Sequence, residues 1–317
     1  MRIAFISDIH GNYPALMKVL EDAAANNVEK FIFVGDYIFD LPFSNEVAYA
    51  LMGLENAFII KGNKEMRLKD FASEDQANWT YDQIGAVYQT IRELKPGVYE
   101  FLNGLDDELH VPLNDGVSAY AVHVPPKFFF PWPKKIGLGS ASFHKRMLEE
   151  PFTHKHFLSY FSDVVNSDEY KLGFGQIDAD IVVFGHNHLQ SYAYCGNKLI
   201  INPGSCGLAL DFNNSAAYTI VEIISSGFNV GFNVIERRVE YDVEAVINQT
   251  KQSEIYNKGR IYSELNFLAM RTGRDYFGFF FEIAREIASS KGETGHLFSN
   301  ETWAEANDVF TKKWMVN

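Results

Sequence analysis

The chain has 317 residues, of which 47% are hydrophobic and 22% are charged, a balance typical of a folded protein rather than a disordered one. Its net charge of −13 argues against general nucleic-acid binding, because coating a polyanion requires a basic protein face. No apolar run approaches the ~20 residues that a membrane-spanning helix needs.

Apolar runs of strand length alternate with helical patterns along the chain. The run Ile3-Ala4-Phe5-Ile6 predicts a first strand, and apolar residues at helical spacing then predict a helix over residues 14–25. Further strands are predicted near residues 31–34, 57–60, 108–112, 117–122, 181–184 and 198–201, and further helices at 43–54, 79–94 and after Pro96-Gly97.

The last third of the chain changes character. Residues 216–224 and 229–237 predict a β-hairpin around Ser225-Ser226-Gly227. Beyond about residue 240, four helices are predicted at 242–252, 255–270, 275–289 and 301–314, the third with an apolar stripe suited to packing. This C-terminal extension is expected either to dock on the rest of the chain or to form a dimer interface, and its sequence shows no chemical role.

Polar motifs follow five of the apolar runs. In chain order they are Asp8-Ile9-His10-Gly11, Gly35-Asp36, Gly62-Asn63, His123 and Gly185-His186-Asn187-His188. Buried strands deliver side chains to one edge of a sheet, so we expect these groups to lie together. Each motif alone is weak evidence, since Asp and Gly are ordinary turn residues. Together, two Asp, one Asn and four His offer the oxygen and imidazole ligands of a transition-metal pair.

The five motifs in this order resemble those of the calcineurin-like metallophosphoesterases, in the branch of small bacterial and archaeal phosphodiesterases. The resemblance covers roughly residues 1–238, and Asn202-Pro203-Gly204-Ser205 is similar to a turn of that branch. It implies an α/β fold, a four-layer α/β/β/α sandwich with its metals at the strand ends. The expected organisation is a phosphoesterase domain over residues 1–239 and a helical extension over residues 240–317.

The resemblance also implies a ligand set for two divalent ions. Asp8, His10 and His188 would bind the first ion, while Asn63, His123 and His186 would bind the second. Asp36 would bridge the two. Mn, Fe, Zn and Ni suit four imidazoles, and Mn is expected to support activity. The candidate catalytic residues are Asp36, Asn63 and Lys64, and the resemblance implies that they act with a metal-bridging hydroxide.

The third motif departs from the family pattern. The family usually has His after the Asn, where it is thought to orient or protonate the leaving group, but here the run is Gly62-Asn63-Lys64-Glu65. Two roles stay open for Lys64: a hydrogen bond to a phosphate oxygen, or an exposed ammonium with no catalytic role. Beside two dications its pKa is expected to fall.

The stretch at about residues 124–175 is longer than a connection between two strands needs to be. Its first half is basic and aromatic, with Lys134, Lys135, Lys145 and Arg146 among its cations. One interpretation is a lid that binds phosphates and stacks a base. The other is an ordinary exposed cap whose aromatic side chains pack on the sandwich.

Two classes of function follow. The favoured one is a dimetal phosphoester hydrolase, a phosphodiesterase or a nucleotide-directed phosphatase, acting on a small phosphoester or nucleotide. The alternative is a non-catalytic interaction scaffold on the same fold, although a scaffold has no reason to keep seven metal-binding side chains. A cleavable signal would remove the first strand and Asp8, so a cytoplasmic location is expected. A homodimer through the C-terminal helices is a further expectation.

Overall fold

The computed structural model describes residues 1–114, 116–124, 154–226 and 229–314. The strands among them are β1 (Arg2–Ile6), β2 (Lys30–Phe33), β3 (Ala57–Ile59), β4 (Glu108–Pro112), β5 (Ser118–Val122), β6 (Ile181–Val183), β7 (Ser191–Cys195), β8 (Lys198–Asn202), β9 (Ala216–Ser226) and β10 (Asn229–Val239). The α-helices are α1 (Tyr13–Ala25), α2 (Ser44–Met52), α3 (Asn63–Ser73), α4 (Gly85–Glu93), α5 (Pro96–Gly104), α6 (His154–Val165), α7 (Asp168–Gly175), α8 (Val243–Lys251), α9 (Glu254–Lys258), α10 (Arg260–Thr272), α11 (Phe277–Ser290) and α12 (Asn300–Trp314).

The strands form two mixed five-stranded sheets. The first has the order β10-β9-β1-β2-β3, in which β1, β2 and β3 are parallel and β9 pairs antiparallel with β1. The second has the order β4-β5-β6-β8-β7, with β5, β6 and β8 parallel. The parallel strands are central in the second sheet, whereas in the first they run from the middle of the sheet to the edge strand β3. In each sheet their carboxyl ends reach one edge.

The alternation of side chains along β1 shows why the sheets stack. Ile3 and Phe5 contact the apolar core between the two sheets, while Ala4 and Ile6 face the core beneath α1 and α2. On the far side, Phe157 and Phe161 of α6 pack with Phe184 against the outer face of the second sheet. The four layers are therefore helices, sheet, sheet and helices, which confirms the predicted α/β/β/α sandwich.

Several helix boundaries differ from the sequence prediction. The helix expected over residues 79–94 is a short 3-10 turn, Asp82–Ile84, followed by α4. The helix expected over residues 255–270 is divided into α9 and α10 at Gly259, whose close approach to Ala86 leaves no room for a side chain. Helix α3 was not predicted, although it begins at the proposed ligand Asn63.

The long stretch at residues 124–175 has two parts. Its later part forms α6 and α7, which build the outer helical layer on the second sheet. The basic and aromatic part proposed as a lid, including Lys134, Lys135, Lys145 and Arg146, lies outside the described residues.

The C-terminal extension packs directly against the sandwich. Val246, Ile247 and Phe267 share an apolar cluster with Leu41 and Leu208, which lie in loops next to the strand ends. A second cluster joins α10, α11 and α12, and in it the predicted stripe residues Phe280 and Ala284 are fully buried. No helix among the described residues is long and apolar enough to cross a membrane.

Candidate active site

The structure brings all seven predicted metal-binding side chains to one edge of the two sheets. Five of them occupy the left-handed backbone region that side-chain-bearing residues seldom adopt. These are Asp8 (φ 55°), His10 (53°), Asp36 (56°), His186 (75°) and His188 (59°). Such strained conformations concentrate at functional sites, where the surrounding fold holds them in place.

Three of the side chains form the group proposed for the first ion. The Nε2 atoms of His10 and His188 lie 3.1 Å apart. Asp8 Oδ1 is 3.7 Å from His10 Nε2 and 3.3 Å from His188 Nε2. All three residues are buried, so a cation bound among them would be shielded from water on most sides.

The group proposed for the second ion is gathered around the amide of Asn63. Its Oδ1 atom lies 3.0 Å from His123 Nε2 and 2.8 Å from His186 Nδ1. Asp36 lies between the two groups, with Oδ1 3.4 Å from His123 Nε2 and Oδ2 4.0 Å from His10 Nε2. Each oxygen of Asp36 thus faces a different group, which is the arrangement expected of a bridging carboxylate.

Outer hydrogen bonds orient three of the four imidazoles. Nδ1 of His10 contacts Asp40 Oδ2 at 2.6 Å, His123 Nδ1 contacts the carbonyl of Val34 at 2.6 Å, and His188 Nδ1 contacts the carbonyl of Leu208 at 2.6 Å. When the Nδ1–H of an imidazole donates to one of these oxygens, the lone pair of its Nε2 atom is left free to bind a metal ion. This is the usual support of metal-binding histidines.

Glu65 fixes the loops that carry Asp36 and Asn63. Its carboxylate accepts hydrogen bonds from the backbone N–H groups of Asp36 (2.9 Å), Tyr37 (2.8 Å) and Gly62 (2.8 Å). At Gly62 a Cβ atom would lie 2.1 Å from Asp36 Oδ1, so only glycine lets the two loops approach this closely. Burial raises the pKa of Glu65, and the charge of Asp36 adds to the effect.

Charges within the site are strongly coupled. Burial opposes charge on His10, yet the carboxylate of Asp40 raises the pKa of His10 to about 10. His123 is likewise buried, and Asp36 raises its pKa to about 9. Burial and the charge of His123 lower the pKa of His186 to about 4. Burial disfavours the Asp36 carboxylate, but His123 holds its pKa at about 2.

Lys64 has a definite partner in the metal-free site, and the lowering of its pKa beside two dications stays a prediction. Its ammonium lies 3.2 Å from Asp40 Oδ2, and although burial opposes the charge, Asp40 raises the pKa of Lys64 above its ordinary value. Tyr262, from α10 of the extension, lines the same cavity as Asp40, and burial together with the charge of Asp40 raises the pKa of Tyr262. The extension therefore reaches the site, although its sequence shows no chemical role.

Sequence reasoning missed Asp40 and Tyr262. Asp40 follows Asp36 by four residues, but an Asp in a loop is so common that its position alone carries no signal. Tyr262 belongs to an amphipathic helix far along the chain, where nothing local distinguishes it from a packing residue. Only contact in the folded chain identifies either of them.

One buried atom in the site has no hydrogen-bond donor. Asp8 Oδ1 is inaccessible to solvent and accepts no hydrogen bond of good geometry among the described residues, although His188 Nε2 lies 3.3 Å away. A carboxylate oxygen in that state is costly unless a positive charge compensates it. A divalent cation among Asp8, His10 and His188 would supply that charge, so the donor set fits the metal chemistry.

Comparison with known proteins identifies the family. The model of the calcineurin-like phosphoesterase family matches residues 1–190, more than half of the chain. The chain belongs to the calcineurin-like phosphoesterase family. This phosphoesterase is thus a metal-dependent enzyme, which confirms the enzyme class predicted from the five motifs.

Two proteins of Methanocaldococcus jannaschii are similar in sequence. An uncharacterized protein is 26% identical over 260 residues, which span 76% of this phosphoesterase and 88% of the relative. A phosphodiesterase is 23% identical over 206 residues, which span 65% of this chain and 84% of the relative.

A solved structure supports the fold. A metallophosphoesterase from Sphaerobacter thermophilus superposes with a TM-score of 0.58 at 20% identity, covering 86% of this phosphoesterase and 99% of that chain.

Proposed function

We propose that the protein is a phosphodiesterase that uses two divalent cations held by Asp8, His10, Asp36, Asn63, His123, His186 and His188. The observation that carries the proposal is the convergence of these seven side chains, with Asp36 between the two groups and Asp8 Oδ1 buried without a donor. The similarity to a phosphodiesterase of M. jannaschii supports the choice of diesters over monoesters.

Hydrolysis adds water across one P–O bond of the ester. An oxygen of water bonds to phosphorus, the bond to one alcohol oxygen breaks, and the alcohol leaves with a proton. A pair of divalent cations supplies an acidified water and neutralises charge on the phosphoryl group.

The protein's own residues would orient and balance this reaction. Asp36 is held by the backbone N–H of Lys64, which donates to its Oδ1 at 2.9 Å. Lys64 lines the cavity over the site and keeps its proton because of Asp40. Lys64 therefore contributes positive charge near the phosphoryl group rather than an acidic proton for the leaving alcohol.

The test compares esters with the same leaving group. Protein reconstituted with Mn²⁺ is assayed on bis-p-nitrophenyl phosphate and on p-nitrophenyl phosphate, and we expect the higher kcat/KM on the diester. Asp36→Asn should lower turnover by ~10²-fold or more, because it removes a negative charge shared by both cations. The exposed carboxylate of Asp178 offers a matched control, Asp178→Asn, which should leave turnover unchanged.

The scaffold alternative predicts that neither ester is hydrolysed. A protein that binds two cations but hydrolyses neither ester with Mn, Fe, Zn or Ni would favour a scaffold and overturn the proposal. A higher kcat/KM on the monoester would instead indicate the nucleotide-directed phosphatase. The preference for Mn, the cytoplasmic location, the homodimer and the division at residues 239–240 stay predictions.

A further inference from the structure

A second cavity opens beside the proposed metal centre. It has a volume of about 150 Å³ and shares Asp40, Asn63, Lys64 and Tyr262 with the cavity that lies over the histidines. These shared residues place the side cavity directly beside the cavity over the metal centre.

Helix α3 provides one wall of the side cavity. Lys64, Arg67 and Phe71 all line it, and their spacing of three and four residues places them on one face of the helix. Because α3 begins at Asn63, this face runs outward from the metal centre. The wall changes from polar beside the metal ligands to aromatic at its far end.

Much of the remaining lining of the side cavity is apolar. Phe71 lines it together with Phe39, Ile84, Ala86 and Val87, and Gln83 adds a polar side chain beside Ile84. An engineered apolar cavity of about 150 Å³ in another protein holds one benzene molecule. The side cavity is thus large enough for one six-membered ring and too small for a fused-ring base together with its sugar.

A cation lies at the mouth of the cavity. Arg67 is exposed, and no carboxylate pairs with it in the part of the chain described by the structure. Lys64, by contrast, is already paired with Asp40. Arg67 therefore remains able to attract an anionic ester as it enters the site.

We propose that the side cavity is a specificity site that binds a single planar aromatic ring on one arm of the phosphoester. This inference rests on the proposed function, because the ring is placed by a phosphoryl group at the metal centre. It defines the substrate class as phosphodiesters with an aryl or pyrimidine-sized group on one arm.

The test measures binding, so it does not depend on turnover. Isothermal titration calorimetry compares phenylphosphonate with methylphosphonate on Mn²⁺-loaded protein, since the two ligands share the phosphonate and differ in the ring. We expect phenylphosphonate to bind at least about tenfold more tightly, because filling an apolar pocket commonly gives that discrimination.

Two variants locate the ring. Val87→Phe should fill the cavity and remove the preference for phenylphosphonate, while leaving the affinity for methylphosphonate unchanged. Phe71→Ala should reduce the preference for phenylphosphonate, because it removes the aromatic wall. This second variant keeps the proposal testable if Val87→Phe does not fold. Met66→Ala is the matched control, because Met66 lies on the same helix, is 39% exposed and does not line the cavity.

The outcomes separate the two proposals. Equal affinity for the two phosphonates in the wild type, no binding of either, or a preference that survives both variants overturns the ring site. Ring-dependent binding in a protein that hydrolyses no diester keeps the ring site and overturns the phosphodiesterase. Diester hydrolysis without ring-dependent binding keeps the phosphodiesterase and overturns the ring site.

Discussion

Asp40→Asn is the most informative single substitution, because Asp40 contacts the site without being a proposed metal ligand. The buried carboxylate of Asp40 lies 2.6 Å from His10 Nδ1 and 3.2 Å from Lys64 Nζ. An Asn amide retains the shape but loses the charge. Both donors contact the same oxygen, Oδ2, so the Asn oxygen could still face them, but only as a neutral acceptor.

The expected magnitude follows from the lost interaction. A hydrogen bond to a charged group contributes about 1.5–3 kcal/mol. Loss of an outer partner of a metal-binding histidine typically lowers metal affinity by about 10–100-fold, equivalent to about 1.4–2.8 kcal/mol. We therefore expect Asp40→Asn to weaken the His10 site by about 10–100-fold. The site at Asn63, His123 and His186 should change little, since Asp40 contacts none of those residues directly.

The assay is calorimetric titration of metal-free protein with Mn²⁺, fitted to two sites. Asp22→Asn is a suitable control, because it also removes a carboxylate from an ion pair. Asp22 lies 2.7 Å from Arg237, near the C-terminal end of α1 and away from the metal centre. The control should lower folding stability but keep both Mn²⁺ affinities. Unchanged binding in Asp40→Asn, or equal weakening at both sites, would refute this account of Asp40.

Four further expectations can be checked independently. Elemental analysis after reconstitution in excess Mn²⁺ should find two ions per chain, and no more than one in wild-type protein would contradict the ligand count. The pKa values of His10 and His123 are raised to about 10 and about 9, so both are protonated in metal-free protein at neutral pH. Mn²⁺ must displace these protons, so Mn²⁺ affinity should rise between about pH 6 and pH 9. Calorimetric titration in two buffers of different ionisation enthalpy would detect the released protons. Lys64 is paired with Asp40, and an ammonium is a weaker acid than the imidazole that it replaces, so kcat/KM should depend steeply on leaving-group pKa. Lys64→His should accelerate alkyl esters selectively. A shallow slope that the substitution leaves unchanged would show that the proton comes from elsewhere. Phe280→Ala should lower the free energy of unfolding by about 3–5 kcal/mol in chemical denaturation, and a loss near zero would mean that the extension does not share the core.

The sequence alone predicted the seven side chains that the structure brings together and, through the family resemblance, the layered fold. Each of the five motifs lies just after an apolar run, and a strand that is buried on both faces must be apolar almost throughout. The end of such a run is therefore visible locally, as it is at Asp8, Asp36 and His186. The order of the five motifs then supplied the family, which the family model confirms.

Local patterns did not determine what surrounds the ligands. The contact of Asp40 with His10, and that of Tyr262 with Asp40, depends on how separate loops and helices pack. The same holds for the ion pair of Lys64 with Asp40, which no local pattern in the sequence predicts.

The tertiary structure decided these points because electrostatic interactions act through space, and burial strengthens them. The partner that dominates Lys64 is Asp40, which is remote in sequence and adjacent in the fold. The side cavity likewise exists only where α3, the loop after β2, α4 and α10 meet. Each of those segments has an ordinary packing pattern in sequence, so the cavity between them could be found only in the folded chain.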